Sequence, residues 1–391
     1  MTETTTPDSA TRNVRLQWIG DMSGAFADLG TFLPLVLGLL VVGTYDASGM
    51  MVGFGVFAIA TGVLYRRPVP VQPMKVIAAL AITGGMTASA VTASGIMIGL
   101  VLLVLGVTGL INHLERAVPR TILLGVQIGL GLSLLSTSAG LAGAAPWLGL
   151  AVFGLLIAFQ FSRLRTVGCL IILGGAVLWS AVFGAVQISS GSFAWSLPGL
   201  HEPDLTALHQ ALETGVLPQL ALTITNAILL TAVLAADYFP QDRNRLSARN
   251  LALSSGGLNL LLAPFGAIPM CHGAGGLAAQ YAQGARTGWA PAVFGVSCLA
   301  LGVFAGPNAP AWLSLVPMPV IAALLAFAGF QLVNLNRLYY LRWSCLVIVG
   351  LTALICVLVN AAAGLFVGVL AEFARSRLPR GRMSSPSGET R

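Results

Sequence analysis

Lys75 is the only lysine in the chain, and it follows Pro70-Val71-Gln72-Pro73-Met74 inside a very apolar stretch. An ammonium group among hydrocarbon costs at least a few kcal/mol, so an ionisable residue in such a place points to function. A second run, Pro269-Met270-Cys271-His272-Gly273-Ala274-Gly275-Gly276, repeats the Pro-Met pair and adds glycines that let backbone approach a ligand closely. Proline lacks a backbone donor and suits the first turn of a helix, so Pro73 and Pro269 are each expected to start a half-helix after an extended stretch. Two such starts meeting within a membrane present unpaired N–H groups and two positive dipole ends, an arrangement suited to an anion. A tetrahedral oxyanion fits this chemistry better than a cation or a sugar. Lys75 would add its charge to the anion, or serve as a structural cation paired with Asp28 or another buried carboxylate.

The expected substrate-binding set is Thr31, Gln72, Met74, Lys75, Asn226, His272, Gly273, Ala274 and Gly275, with Asp28 and His272 as coupling residues. Asp28 lies near the Gly30 and Pro34 break of the first apolar segment, where desolvation favours protonation and makes proton carriage feasible. His272 could instead cap the half-helix or simply pack. Asn226 shares its segment with Thr223 and Thr225, and its amide could donate to an oxyanion. Asp21 reads as a cap or loop anchor, Asp237 as half of a salt bridge, and Gln280 and Asn334 as polar glue between helices. His201, Glu202, Asp204 and His209 match no usual zinc spacing. The five cysteines show no pairing or metal pattern, and no phosphate-binding loop follows a strand, so neither a cofactor nor an ATP-driven mechanism is expected.

The elements that must position these residues follow from composition. Hydrophobic residues make up 56% of the chain and charged residues 8%, with a mean hydropathy of +0.87, which fits a polytopic all-α membrane protein. Fourteen apolar segments are expected, at about 18–42, 49–65, 71–83, 90–112, 121–136, 146–161 and 167–186, then 215–236, 248–263, 273–282, 291–305, 311–333, 343–359 and 361–373. With both termini cytoplasmic, all 19 arginines fall on the cytoplasmic side, and no external connection carries Lys or Arg. The net charge of +7 therefore needs no nucleic acid to explain it. The polar N-terminal tail has no apolar h-region, so it does not read as a cleaved signal peptide.

The third and tenth segments open on the Pro-Met pairs, and Gly30-Thr31-Phe32-Leu33-Pro34 in the first echoes Gly215-Val216-Leu217-Pro218 in the eighth. Seven segments separate each pair, and seven is odd, so the second half is expected to be an inverted repeat of the first. The expected divisions are a tail at 1–15, a first repeat at 16–187, an external loop at 188–213, a second repeat at 214–374 and a tail at 375–391. Segments three and ten are the two broken half-helices.

Across nearly the whole membrane region the chain resembles the molybdate transporter family of bacteria and plants, distantly related to the sulfate permeases. The likeness is carried by Gly20-Asp21, Ala27-Asp28-Leu29-Gly30-Thr31-Phe32-Leu33-Pro34-Leu35, Pro70-Val71-Gln72-Pro73-Met74-Lys75, and the run from Pro269 to Leu277. It implies a seven-plus-seven inverted repeat with core and gate domains moving against each other. Only a short arginine-rich tail follows Phe373, with no room for the regulatory domain of typical sulfate permeases.

The reading is a secondary active importer of a tetrahedral oxyanion in the cell (inner) membrane, with molybdate the substrate that the resemblance names. Anion import against a negative interior costs about 2.3 kcal/mol per charge per 100 mV, so a proton or another cation is expected as coupling partner. The other partners are the bilayer and, as a candidate assembly, a second copy of the chain in a homodimer. A sulfate transporter of the same fold, a nucleobase permease and a passive anion channel are the alternatives. No constellation for an enzyme is found.

Overall fold

The computed structural model describes residues 17–377, apart from 43–44, 83–84, 118, 142, 144, 163, 165–166, 184–192, 194, 334–337, 339–340 and 360. The tail expected at 1–15, the end of the chain from 378, Arg163, Arg165, Asn334 and Arg337 lie outside the described residues.

The chain is mostly helical, as hydrocarbon demands, because a helix satisfies its backbone groups internally. A helical stretch at 17–25 and a turn at 26–28 lead into α1 (Leu29–Val42), followed by α2 (Ala47–Tyr65). A short strand β1 (Gln72–Pro73) precedes α3 (Lys75–Ile82) and α4 (Ala88–Val107). Then come α5 (Leu110–Ala117), α6 (Arg120–Leu141), α7 (Pro146–Gln160) and α8 (Gly168–Phe183). The next membrane segment is one continuous helix of mixed pitch. It runs through α9 (Leu205–Ala211), a π-helical turn at Leu212–Val216, α10 (Leu217–Leu222), a longer π-helical stretch at Thr223–Leu230 and α11 (Thr231–Tyr238). After it come α12 (Ala248–Leu262), strand β2 (Met270–Cys271), α13 (Ala274–Ala282), α14 (Trp289–Phe304), α15 (Ala309–Leu313), α16 (Met318–Leu332), α17 (Trp343–Leu358) and α18 (Ala361–Arg377).

Among the described residues five helices are long and apolar enough to cross a membrane: Gln17–Leu40, Ala47–Tyr65, Ala88–Val107, Arg120–Leu141 and Gln219–Tyr238. Counting Trp289–Phe304 with Gly306–Leu313, bent by 116°, as one span makes six, and four further apolar helices are shorter.

Packing is pairwise. α2 runs along α14, α4 along α12, and α6 along both α16 and α17. α16 also meets α1 and α7. Small residues let these helices close up: a Cβ on Gly55 would meet the Gly295 carbonyl at 2.9 Å, and one on Gly99 would meet the Gly256 carbonyl at the same distance. Phe32, Phe54, Phe57, Met50, Met74 and Ile77 fill the largest buried cluster, which surrounds the two strands.

Three expectations about elements change. The eighth segment begins at Leu205, well before the expected 215, because Asp204 caps the helix by accepting from the Ala207 N–H at 2.7 Å. The helix therefore takes the last residues of the loop expected at 188–213. The twelfth segment is broken, with Pro317 ending the connection between α15 and α16. The break in the first segment lies at the 26–28 turn and not at Pro34, which sits inside α1.

Candidate functional site

The two Pro-Met runs meet. β1 and β2 pair antiparallel, with Gln72 opposite Cys271 and Pro73 opposite Met270, and the Met74 N–H donates to the Pro269 carbonyl at 2.9 Å. Each strand leads directly toward a short helix: α3 starts at Lys75 and α13 at Ala274, with Gly273 as its extended N-cap residue. The prolines do not occupy first helical turns as expected. Pro73 lies in β1 and Pro269 just before β2, because a residue without an N–H fits an extended two-stranded crossing as readily as a helix start. Gly273 has no side chain with which to cap α13.

Gln72 organises the charged groups. Its buried amide donates through Nε2 to Asp28 Oδ2 at 2.6 Å and accepts through Oε1 from Lys75 Nζ at 3.2 Å. Lys75 and Asp28 form no direct ion pair among the described residues, and the glutamine stands between them. Two glycines make room for this arrangement: a Cβ on Gly273 would strike the Gln72 amide, and one on Gly276 would strike the Asp28 carboxylate. The glycine run thus lets α13 pack onto Asp28 and Gln72. Thr31, one helical turn beyond Asp28, donates its N–H to the Asp28 carbonyl at 3.0 Å.

The other predicted residues separate into two groups. Asn226 lies in the π-helical stretch that packs against α13, buried, with its Oδ1 unpaired among the described residues. Ala274 and Gly275 form the first turn of α13. Met74 and His272 turn elsewhere. Met74 is fully buried against Ile77 and Pro269 in the core. His272 bridges the Pro70 carbonyl through Nδ1 and Ser254 Oγ through Nε2, both at 3.1 Å, between the rings of Phe57 and Tyr65. Its ring is consumed by packing β2 against α2 and α12.

Sequence reasoning missed Gln219. Its Oε1 accepts from the Val76 N–H in the first turn of α3 at 2.8 Å, and its Nε2 donates to Thr223 Oγ1 at 2.9 Å. A glutamine one residue after Pro218 in an apolar segment was the available signal. Asp21 anchors a connection as expected, accepting from the Arg286 N–H, the Thr287 N–H and the Thr287 hydroxyl at 2.7, 3.0 and 2.5 Å.

Apolar helices around two short helices that start from a strand crossing define a polytopic helical membrane fold. A solved structure of the same fold is the transmembrane domain of a cyanobacterium bicarbonate transporter, BicA, with a TM-score of 0.58 and 18% identity, covering 90% of this chain and 97% of that one. The family described as "Molybdate transporter of MFS superfamily" matches residues 20–134 and 211–332. Molybdate transporter 1 of Arabidopsis thaliana is 30% identical over 402 residues, covering 90% of this chain and 87% of its own. Molybdate transporter 2 of the same plant is 30% identical over 372 residues, covering 81% and 78%. The chain belongs to the molybdate transporter family, a family of membrane transporters and not of enzymes.

Proposed function

We propose that the chain is a secondary active importer of a tetrahedral oxyanion, molybdate being the one its relatives' names point to. The observation that carries this reading is the crossing of β1 and β2, which brings Lys75 and the uncapped start of α13 to one place. Unpaired N–H groups and one ammonium suit a dianion, and the backbone supplies most of the donors. In this reading Lys75, Gln72, Thr31, Asn226, Gly273, Ala274 and Gly275 surround the ion. Met74 and His272 support the crossing. Asp28, held by Gln72 beside the α13 start, is the coupling residue, its charge being cancelled when a proton or another cation arrives.

The packing pattern favours the inverted repeat. Segment two (α2) lies along segment eleven (α14), and segment four (α4) along segment nine (α12), so a shift of seven segments exchanges one pair for the other. In this reading the repeats span 16–187 and 214–374, and a core of segments 1–4 and 8–11 moves against a gate of the remainder, which includes α6, α16 and α17. A cavity of about 500 Å³ whose lining includes Arg120, Arg243, Arg249 and Asp237 supports a basic mouth on the arginine-bearing side. That side would be the cytoplasm, in an inner membrane, with both tails.

The test is uptake of molybdate, tungstate and sulfate into proteoliposomes, with and without an inward proton or sodium gradient. Accumulation against the gradient, enhanced by the cation gradient and lost in Lys75→Ala, is the expected result. Current reversing at the anion equilibrium potential without accumulation would establish a channel instead.

A further inference from the structure

Arginines that only orient a membrane protein need no common cavity. Three of them here line one space of about 500 Å³: Arg120 at the start of α6, Arg243 in the connection after α11, and Arg249 in the first turn of α12. Asp237 is the one acid among the lining residues, so three positive charges against one negative leave a surplus of two. The neighbouring carboxylate that could cancel this surplus is already engaged. Asp242 accepts from Arg67 Nε at 2.6 Å and from Arg245 Nη1 at 3.2 Å, and neither of those arginines lines the cavity.

The rest of the wall supplies donors. Arg249 is held through Nε, which donates to the Gly106 carbonyl at 3.0 Å, and its two terminal amino groups have no protein partner among the described residues. The Asn112 amide and the Ser247 hydroxyl belong to the same lining. Ser247 is also the N-cap of α12, so the positive end of a 15-residue helix lies at the cavity. Guanidinium groups, an amide, a hydroxyl and a helix start suit an oxyanion, and a surplus of two charges suits a dianion. The space is larger than one such ion, which therefore enters with part of its water.

We propose that this cavity is a second anion site, apart from the strand crossing, and that it takes a hydrated dianionic oxyanion of the sulfate class from the arginine-bearing side. The use made of that ion rests on the oxyanion-transporter reading and its core and gate. Arg120 belongs to the gate, and Arg243 and Arg249 to the core, so one dianion among them ties together two bodies that move against each other in every cycle. A ligand that contacts both bodies in one arrangement favours that arrangement by its differential affinity. Oxyanion accumulated on the arginine-bearing side thus clamps the two bodies and slows further uptake. A lipid phosphate shares this chemistry, and the test separates it from the free ion.

The experiment follows the thermal unfolding midpoint of the purified full chain by tryptophan fluorescence in neutral detergent, as sodium sulfate replaces sodium chloride at fixed pH and ionic strength. In Lys75→Ala, which weakens the site at the strand crossing, a saturable rise with sulfate should remain, since a ligand of the native state stabilises it by mass action. Arg243→Gln in that background should weaken the apparent sulfate affinity about tenfold, the worth of one charge-assisted hydrogen bond, and Arg120→Gln should do the same if Arg243→Gln does not fold. A rise that is linear in sulfate and equal in the arginine variants is the general salting effect of sulfate and overturns the proposal. A response that disappears with Lys75→Ala alone, or a shift given by added phosphatidylglycerol and not by sulfate, also overturns it. The clamp is read in phosphatidylcholine proteoliposomes, where sulfate in the lumen should slow molybdate uptake and Arg243→Gln should relieve the slowing; equal slowing in both rejects the clamp. A sulfate response of the cavity without oxyanion uptake by the unsubstituted chain would keep the anion site and reject the transport reading. Uptake without a sulfate response in Lys75→Ala would do the reverse.

Discussion

Gln72 is the residue on which the charged groups of the site depend. A neutral amide can donate to Asp28 and accept from Lys75 at once through its two separate ends, and its geometry here uses both. Gln72→Leu leaves two buried partners unmade, so it should destabilise the protein by about 1–3 kcal/mol and cut oxyanion uptake at least tenfold, read by thermal unfolding and by proteoliposome flux. Gln72→Glu sets a second carboxylate against Asp28 and should be worse for uptake. Gly276→Ala tests the same place by shape alone: its Cβ meets the Asp28 carboxylate, so uptake should fall even though no polar group is lost. At this scale the sequence is half legible. Lys75 and the glycine run declare themselves by rarity and spacing, whereas the partners of His272 do not. Those come from Pro70 and Ser254, residues distant in the chain that no local pattern links to it.

At the scale of elements, short helices that begin inside a protein need their first N–H groups satisfied. α3 obtains one partner from Gln219 on a different segment, and Gln219→Leu should cost about 1 kcal/mol, measurable as a lowered unfolding midpoint with α3 still formed. The long loop before α9 is fastened in a similar way. Asp46 caps α2 through the Gly49 N–H, and its other oxygen accepts from the Gly199 N–H at 3.1 Å and lies 3.4 Å from His201 Nε2. Asp46→Ala should lower stability by about 1–2 kcal/mol and speed proteolysis within residues 195–204, whereas a loop held only by its own contacts would be cut at an unchanged rate. Segment boundaries are readable from the sequence wherever apolar runs meet charge. They are not readable where a cap such as Asp204 extends a helix into polar residues, or where a π-helical pitch at Thr223–Leu230 replaces the ordinary one, since neither alters the hydrophobic pattern.

For the whole molecule, the one-sided arginines predict orientation. Tags placed at the two ends should react with an impermeant reagent only after the membrane is opened, and reaction of either tag in intact cells would reverse the proposed orientation. The pairing of α2 with α14 and of α4 with α12 was foreshadowed only by the weak Pro-Met echo, because helix pairing is decided by glycine contacts between residues far apart in the chain. The strand crossing carries a further consequence. Its register bonds, together with the Met74 to Pro269 bond, tie the starts of α3 and α13 to a fixed span. A holder of fixed span cannot shrink around a smaller guest. Selectivity would then be a matter of bond length: an ion with shorter oxygen arms reaches fewer donors at once, and since tungstate, molybdate and sulfate carry the same charge, their ranking should follow ionic radius.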